Sequence, residues 1–392
     1  MRVLVLSTLF PSRTRPAFGV FVKERLRHVA ARCDVVVVAP VPWFPGNRWI
    51  RGRALSSTPF IERQEGLTVY HPRIFSIPGV GKALDAVLYA LSVLPLLVWL
   101  RRRFPFDLID AQFGYPDGVA AALLGKLFRR RVMITLRGDE MRVSAFALRR
   151  VQLAAALRAA RVIAVSEALR QFARRFGVDV DAVRVIPNGV DPLGFHPSDR
   201  RVARARLGIA ADRLVLLAVG GIVERKGHHH VIEVLPRLVA DRPDVLYVVV
   251  GGAPRGSRYP AMIDELVTRH GLQPHVRLVG ARPHEEIAHW VAAADLFCLA
   301  TGQEGCCNAI REALACGLPV VSTRVGGNPD LVREGQDGFL VPYWDAEAFV
   351  AAIRRAVTHG WDRAAIAAYA QRHTWEDTAS MVIREMEETL RR

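Results

Sequence analysis

EGCCNAIREALACGLPVVSTRVGGNPDLVRE, residues 304–334, compresses a helix, a Gly-Leu-Pro turn, a buried strand and a second helix start into one stretch. Residues 318–322 form a short apolar run rich in Val behind a glycine, the pattern of a buried parallel strand. Residues 309–316 read as helix, stopped by Gly317. Glu304 stands just before that helix and Glu312 about two turns into it, so their Cα atoms lie on the order of 10 Å apart. That is too far for a proton-sharing carboxylate pair and suits two contacts along one extended ligand. Between them the backbone N–H groups of Cys306, Cys307 and Asn308 point out of the helix start, a seat for an anion such as a phosphate. Two solvated glutamates flanking an ordinary helix is the competing reading, and only the surroundings decide between the two.

Outward from this stretch, strand and helix alternate. Upstream, strands at 214–219, 245–250, 276–279 and 296–300 are separated by helices at 228–240, 261–270 and 283–293; downstream, a strand at 338–341 is followed only by helices. GGIVERKG, residues 220–227, closes the first of these strands and opens a helix. Its glycines, helix start and the cations Arg225 and Lys226 make a diphosphate cradle, and its spacing is not that of a Walker loop. By itself the segment equally describes a solvated basic turn.

The first half repeats the alternation. A strand at 3–6, a loop at 7–19, a helix at 20–31 and a strand at 34–39 form the opening unit. The loop lacks GxGxxG, and Gly19 at the helix start reads either as a close approach for a phosphate or as a simple loop glycine. Residues 41–81, rich in Pro, Gly and Arg, read as a variable, partner-facing segment with one strand at 67–71. Further strands at 107–111, 131–136, 162–165 and 183–186 alternate with helices at 117–128, 145–160 and 166–176. Loops at the carboxyl ends of such strands carry ligands; here they hold Arg137, Gly138, Asp139 and Glu140, and then Asn188, Gly189 and Asp191. Residues 192–211 read as a boundary. The expected organisation is α/β, with two doubly wound Rossmann-like domains, 1–199 and 200–374, facing a cleft, and a last helix at 375–392.

The 392 residues are 51% apolar, enough for a large core, and 54 Lys and Arg against 38 Asp and Glu give a formal net charge of +16. That balance favours anionic partners: nucleotide phosphates, nucleic acid or an anionic membrane face. Five cysteines, Cys33, Cys298, Cys306, Cys307 and Cys316, form no CxxC pair or disulfide framework, so a reducing, cytoplasmic setting is expected. Residues 83–100 are the most apolar segment and end in Arg101, Arg102 and Arg103. Interrupted by Asp85 and Pro95, they fall short of a spanning helix and read either as a groove-lining helix or as one resting on a membrane with its arginines at anionic headgroups.

Taken together, these residues resemble the family 4 glycosyltransferases over nearly the whole chain. Glu304 and Glu312, followed by ALACGLPVVST and Gly326-Gly327, look like the family's EGFGxxxxEAMACGxPVVAT and Gly-Gly. Lys226-Gly227 is similar to its phosphate-binding Lys-Gly, and IPNGVD, residues 186–191, resembles its hinge marker. The resemblance implies a GT-B architecture that transfers a hexose from a nucleotide-diphosphate sugar with retention of configuration. It places the donor in the second domain, the acceptor in the first, and the terminal helix back on the first domain. It implies that Lys226, Arg225 and Glu304 form the catalytic group, Lys226 neutralising the diphosphate and Glu304 contacting the sugar hydroxyls. Glu312 then binds the ribose, with Gly19, Gly221, Cys306, Cys307, Asn308 and Ala309 completing the donor site. Arg137 and Asp139 are acceptor-side candidates.

No metal or other cofactor is expected beyond the nucleotide-sugar co-substrate. The expected acceptor is a glycan or lipid-linked glycan of cell-surface polysaccharide synthesis, met at the inner face of the membrane, with peripheral contact to anionic lipid. The chain departs from the family pattern at Gly221, where Arg is common and Arg225 is the substitute cation; at Arg137, where His is common; and at Cys306-Cys307, where Phe-Gly is usual. Arg137 cannot act as a general base. Asp179-Val180-Asp181 spells the metal-binding DxD of other glycosyltransferases but reads as a polar turn, and consecutive His228, His229 and His230 cannot share one helical face as ligands. A sugar-nucleotide epimerase on the same fold is the alternative. A nucleic-acid-binding protein is motivated by charge alone, without any RRM, KH or zinc pattern, and no nucleic-acid partner is expected.

Overall fold

The computed structural model describes residues 1–43, 57–76 and 79–391. They divide into two compact units, Met1–Gly189 with Trp375–Arg392, and Val190–Thr374.

In unit 1 the strands are β1 (Arg2–Leu6), β2 (Asp34–Val38), β3 (Val41–Trp43), β4 (Ile61–Gln64), β5 (Leu67–Tyr70), β6 (Arg73–Phe75), β7 (Leu108–Ala111), β8 (Arg131–Leu136), β9 (Arg161–Ala164) and β10 (Arg184–Val185). Its helices are α1 (Val20–Ala30), α2 (Asp85–Arg103), α3 (Val119–Phe128), α4 (Asp139–Val143), α5 (Ala147–Arg158) and α6 (Glu167–Ala173). The main sheet runs β10-β9-β8-β7-β1-β2-β5-β4, parallel except for β4 at its edge, while β3 and β6 pair separately. Valine-rich strands such as β2 suit a parallel sheet covered on both faces. Val3 and Val5 pack beneath α1 and the C-terminal helix Trp375–Arg391. Leu4 and Leu6, also fully buried, point to the other face, where α2, α3 and α5 pack side by side.

The C-terminal helix is part of unit 1. Val382, Ile383 and Met386 enter its core, Arg161 holds Glu385 at 2.6 Å, and the Thr378 hydroxyl donates to the Pro187 carbonyl at 3.0 Å. The division after Gly189 comes earlier than the boundary expected near residue 200. Val190 already donates its N–H to His373 at 3.2 Å, and Phe195 is in the second core. Within the expected boundary lies an unforeseen helix, α7 (Arg200–Leu207), capped by Asp199 and anchored by buried Arg204, which reaches Asp295 at 2.6 Å.

Two other expectations change. The 41–81 segment carries β3, β4 and β6 besides the expected strand, and its residues 44–56 and 77–78 lie outside the described residues. The apolar helix continues through its arginines to Arg103, and the segment Lys82–Arg103 is long and apolar enough to cross a membrane. One side of it is nevertheless buried in unit 1, through Tyr89, Val93, Leu97 and Leu100.

Unit 2 holds β11 (Leu214–Val219), β12 (Val245–Val250), β13 (Val276–Gly280), β14 (Leu296–Leu299), β15 (Val320–Thr323) and β16 (Gly338–Val341). Its further helices are α8 (His228–Asp241), α9 (Tyr259–Arg269), α10 (His284–Ala293), α11 (Asn308–Ala315), α12 (Asn328–Leu331), α13 (Ala346–Thr358) and α14 (Arg363–Ala370). The sheet order is β13-β12-β11-β14-β15-β16, all parallel, so the winding reverses between β11 and β14. Loops leaving two such neighbours part in opposite directions and open a crevice.

Met386 is fully buried among α1 and β1 side chains. Met386→Ala is expected to cost unit 1 about 2–5 kcal/mol, read as a lower urea midpoint at unchanged slope.

Candidate active site

The loop after β11 and the loop after β14 meet at the point of reversal in unit 2. Gly227 has φ +69°, and a Cβ there would lie 1.8 Å from the Ala300 carbonyl oxygen. Gly326, after β15, has φ +52° and would put a Cβ 1.8 Å from the Glu304 carbonyl oxygen. Glycine at these positions lets three loops touch backbone to backbone.

That contact sets Lys226 Nζ 2.6 Å from Glu304 Oε1. The Thr301 hydroxyl stands 2.9 Å from the same oxygen and 2.9 Å from the Arg225 carbonyl. The Glu304 side chain is 7% exposed and that of Lys226 12%. Burial works against the Lys226 charge, but the adjoining carboxylate outweighs it and the ammonium pKa is raised. Arg225 is exposed, its guanidinium 3.9 Å from Glu304 Oε2 and 3.5 Å from the Gln303 carbonyl. The Lys226 ammonium thus sits against a buried carboxylate, with one exposed cation at the rim.

α11 begins at Asn308, one residue ahead of the expected start, with Cys307 as its N-cap and no side-chain cap. Cys306 therefore lies outside the helix. Ile310 and Arg311 close their amides on the Cys307 carbonyl, and the Ala309 amide at the second helical position has no acceptor inside the helix. Cys307, 2% exposed, belongs to the core, where burial pushes its thiol up to about 12. The second cysteine of the departure from Phe-Gly thus acts as an apolar filler. Glu312 accepts from His284 Nε2 at 3.0 Å, and the His284 ring leans on Phe195 with centroids 5.2 Å apart. Sequence reading missed both Thr301 and His284; His284 shows there only as the second residue of the helix expected at 283–293, which in the structure begins at His284 itself.

Where the 220–227 loop runs into α8, the mouth of the helix is closed by its own neighbours. His229 donates its N–H to the Tyr259 hydroxyl at 3.2 Å. His228 donates through Nε2 to the Gly221 carbonyl at 3.2 Å and faces the Tyr247 hydroxyl with Nδ1 at 3.1 Å. Burial pushes the His228 imidazole down to about 4. A Cβ at Gly221 would meet the Gly252 carbonyl at 3.5 Å, ordinary contact.

Unit 1 reverses its winding between β1 and β7. There the Thr8 amide donates to both oxygens of buried Asp117, at 3.0 and 3.1 Å. Burial pushes the Asp117 carboxyl up to about 8 against these bonds. Gly19 has φ +79°, and a Cβ would meet the Leu9 carbonyl at 2.8 Å, so the glycine is required by the chain's own loop. Arg137 is buried and engaged: it donates to the Gln112 carbonyl at 3.0 Å, to Gln112 Oε1 at 2.7 Å and to Asn188 Oδ1 at 3.1 Å. These bonds tie three strand ends together, a positioning task. Buried Glu140 accepts from the amides of Gly114, Arg137 and Gly138, while Asp139 beside it is exposed, 3.4 Å from Arg142. Neither Gln112 nor Asp117 was singled out by sequence reading. Asp179 caps the short turn Val180–Ala182.

Residues 199–373 match the family described as Glycosyl transferases group 1, and residues 18–192 that described as Glycosyltransferase Family 4. The chain is 31% identical over 359 residues to a D-inositol 3-phosphate glycosyltransferase of Geodermatophilus obscurus, an alignment covering 84% of this chain and 78% of that one. The chain belongs to the family 4 glycosyltransferases. It is also 29% identical over 369 residues to a putative teichuronic acid biosynthesis glycosyltransferase of Bacillus subtilis, covering 91% of this chain and 89% of that one. Among solved structures, sucrose-phosphate synthase from Thermosynechococcus elongatus superposes with TM-score 0.80 at 22% identity over 99% of this chain and 98% of the other. Anabaena HepE in complex with UDP-glucose does so with TM-score 0.76 at 23% identity over 99% and 100%. At these identities the likeness is one of fold. The glycosyltransferase has the GT-B fold, two doubly wound units.

Gly326→Ala is expected to push the Glu304 loop away and abolish nucleotide-sugar binding in calorimetry while the far-UV spectrum is kept. His228 supplies a pH effect. An unfolded imidazole takes up its proton near pH 6.5, and the folded one refuses it until about 4. Stability therefore falls as pH drops through that window, by up to roughly 3 kcal/mol from this residue. In thermal melts at pH 7 and pH 5, His228→Leu is expected to lose less than the parent on acidification.

Proposed function

We propose that this glycosyltransferase moves a hexose from a nucleotide-diphosphate sugar, with retention of configuration and without a metal, to a glycan or lipid-linked acceptor of cell-surface polysaccharide synthesis. The observation that carries the reading is the Lys226–Glu304 pair, buried at the point of reversal in unit 2 with Glu312 on the adjoining helix. A ribose, a diphosphate and a hexose form one extended ligand, and the two glutamates suit its two ends. Lys226 turns to the diphosphate when the donor enters, Arg225 adds charge from the rim, and Glu304 accepts from sugar hydroxyls. Glu312, fixed by His284, accepts from the ribose. The complex of HepE with UDP-glucose is in keeping with a nucleotide-sugar donor.

In the reaction the bond from the anomeric carbon to the diphosphate oxygen breaks, and the acceptor oxygen bonds to that carbon on the same face. The acceptor proton passes to a phosphate oxygen of the leaving diphosphate. The protein's share is to stabilise the charge that develops on departure, through Lys226, Arg225 and the Ala309 amide. The enzyme works at the cytoplasmic face of the membrane, in peripheral contact with anionic lipid.

Lys226→Ala and Glu304→Ala are each expected to lower kcat/KM at least about a hundredfold with the fold intact. Turnover of a nucleotide-sugar panel, with and without EDTA, checks this; wild-type rates in both variants would sink the assignment.

A further inference from the structure

We infer that the outer face of the α2, α3 and α5 layer of unit 1 is a docking surface for an anionic bilayer. This deepens the membrane-facing part of the function proposed above by naming the surface. Across 19, 10 and 12 residues the three helices contain a single acid, Asp85, against seven Lys or Arg. Asp85 is engaged by the Ser76 hydroxyl at 3.1 Å.

The apolar content faces the wrong way for a soluble layer. Its inner side is buried as expected, but the outer side is apolar too: Leu91 is 60% exposed on α2, Leu127 60% on α3 and Val151 64% on α5. Leu84 at the N-cap of α2, Leu91 and Val98 recur at sevens, so they lie along one stripe, with Trp99 beside them. Among the described residues, seven of the twenty exposed large hydrophobic side chains lie on these three helices, and Leu84 and Phe146 stand at the N-caps of two of them. An exposed apolar surface of this extent marks an interaction site.

Charge selects the occupant. The exposed Arg102 and Arg103 end α2, with the Arg103 guanidinium 4.2 Å over the Trp99 ring, an aromatic and cation pairing suited to a headgroup boundary. At the ends of α3 and α5 a cavity of about 740 Å³ is lined by Lys126, Arg129, Arg130, Arg131, Arg158 and Arg161, and no acid lines it. Arg161 is already paired with Glu385; the others offer their charge to phosphate groups. Leucines that enter the acyl boundary and arginines that meet anionic headgroups combine into one interfacial surface.

Flotation of the full chain with vesicles tests this. Binding is expected to vesicles of phosphatidylcholine with phosphatidylglycerol and not to phosphatidylcholine alone. The double variant Leu91→Glu, Val98→Glu is expected to lose about tenfold or more of the bound fraction. Arg102→Ser with Arg103→Ser is expected to weaken binding on the order of tenfold and flatten its salt dependence. Both variants should keep wild-type donor turnover in acceptor-free buffer, which separates failure of this surface from failure of the donor site. No flotation of the wild type on anionic vesicles, or unchanged flotation of the Leu91, Val98 variant, overturns the proposal. So does a wild-type dimer in light scattering that this variant dissolves, since the face would then belong to a second copy.

Discussion

A buried carboxylate must be paired, and that requirement organises unit 2. Glu304 lies where the winding reverses between β11 and β14, and the Lys226 ammonium stands 2.6 Å from it as its partner. Holding two charges that close demands loops that cannot drift. Side chains would keep the loops apart, so Gly227 and Gly326 bring Ala300 and Glu304 against their backbones. The Gly-rich loop, the Gly-Gly after β15 and the glutamate are thus one device. The polar cluster is also what a phosphate-bearing ligand would rearrange, since one ammonium cannot serve both a carboxylate and a diphosphate at full strength.

Unit 1 meets a comparable problem with different chemistry. At its reversal, between β1 and β7, the carboxyl group of Asp117 is bound by the Thr8 amide and shifted up to about 8 by burial. Arg137 then spans Gln112 and Asn188. The family's usual histidine gives way here to a cation fully occupied in cross-linking strand ends. Its bonds describe a brace between strand ends.

Local pattern carried much of this. The strands β8, β11, β12 and β16 end where their apolar runs and flanking breakers say they should, because a parallel strand buried on both faces must be apolar along its length. Elements that rely on tertiary support were hidden. α7 has four arginines among its eight residues and offers little apolar stripe; it is held by the buried bond from Arg204 to Asp295. β3, β4 and β6 are short and lie at or off the sheet edge, where propensity is weak and partners decide.

The sequence by itself determined the α/β alternation, the glycines that open the loops, and Lys226, Glu304 and Glu312 as residues worth weighing, since periodicity and turn chemistry are properties of near neighbours. Only the tertiary structure decided that His284 steadies Glu312, that Thr8 meets Asp117, that Gly19 serves its own loop, and that α2 is apolar on the side left in the open. Each of these depends on which distant segment arrives beside it. Spacing along a chain specifies the shape of an element, and the assembled sheet specifies which of its faces is left uncovered.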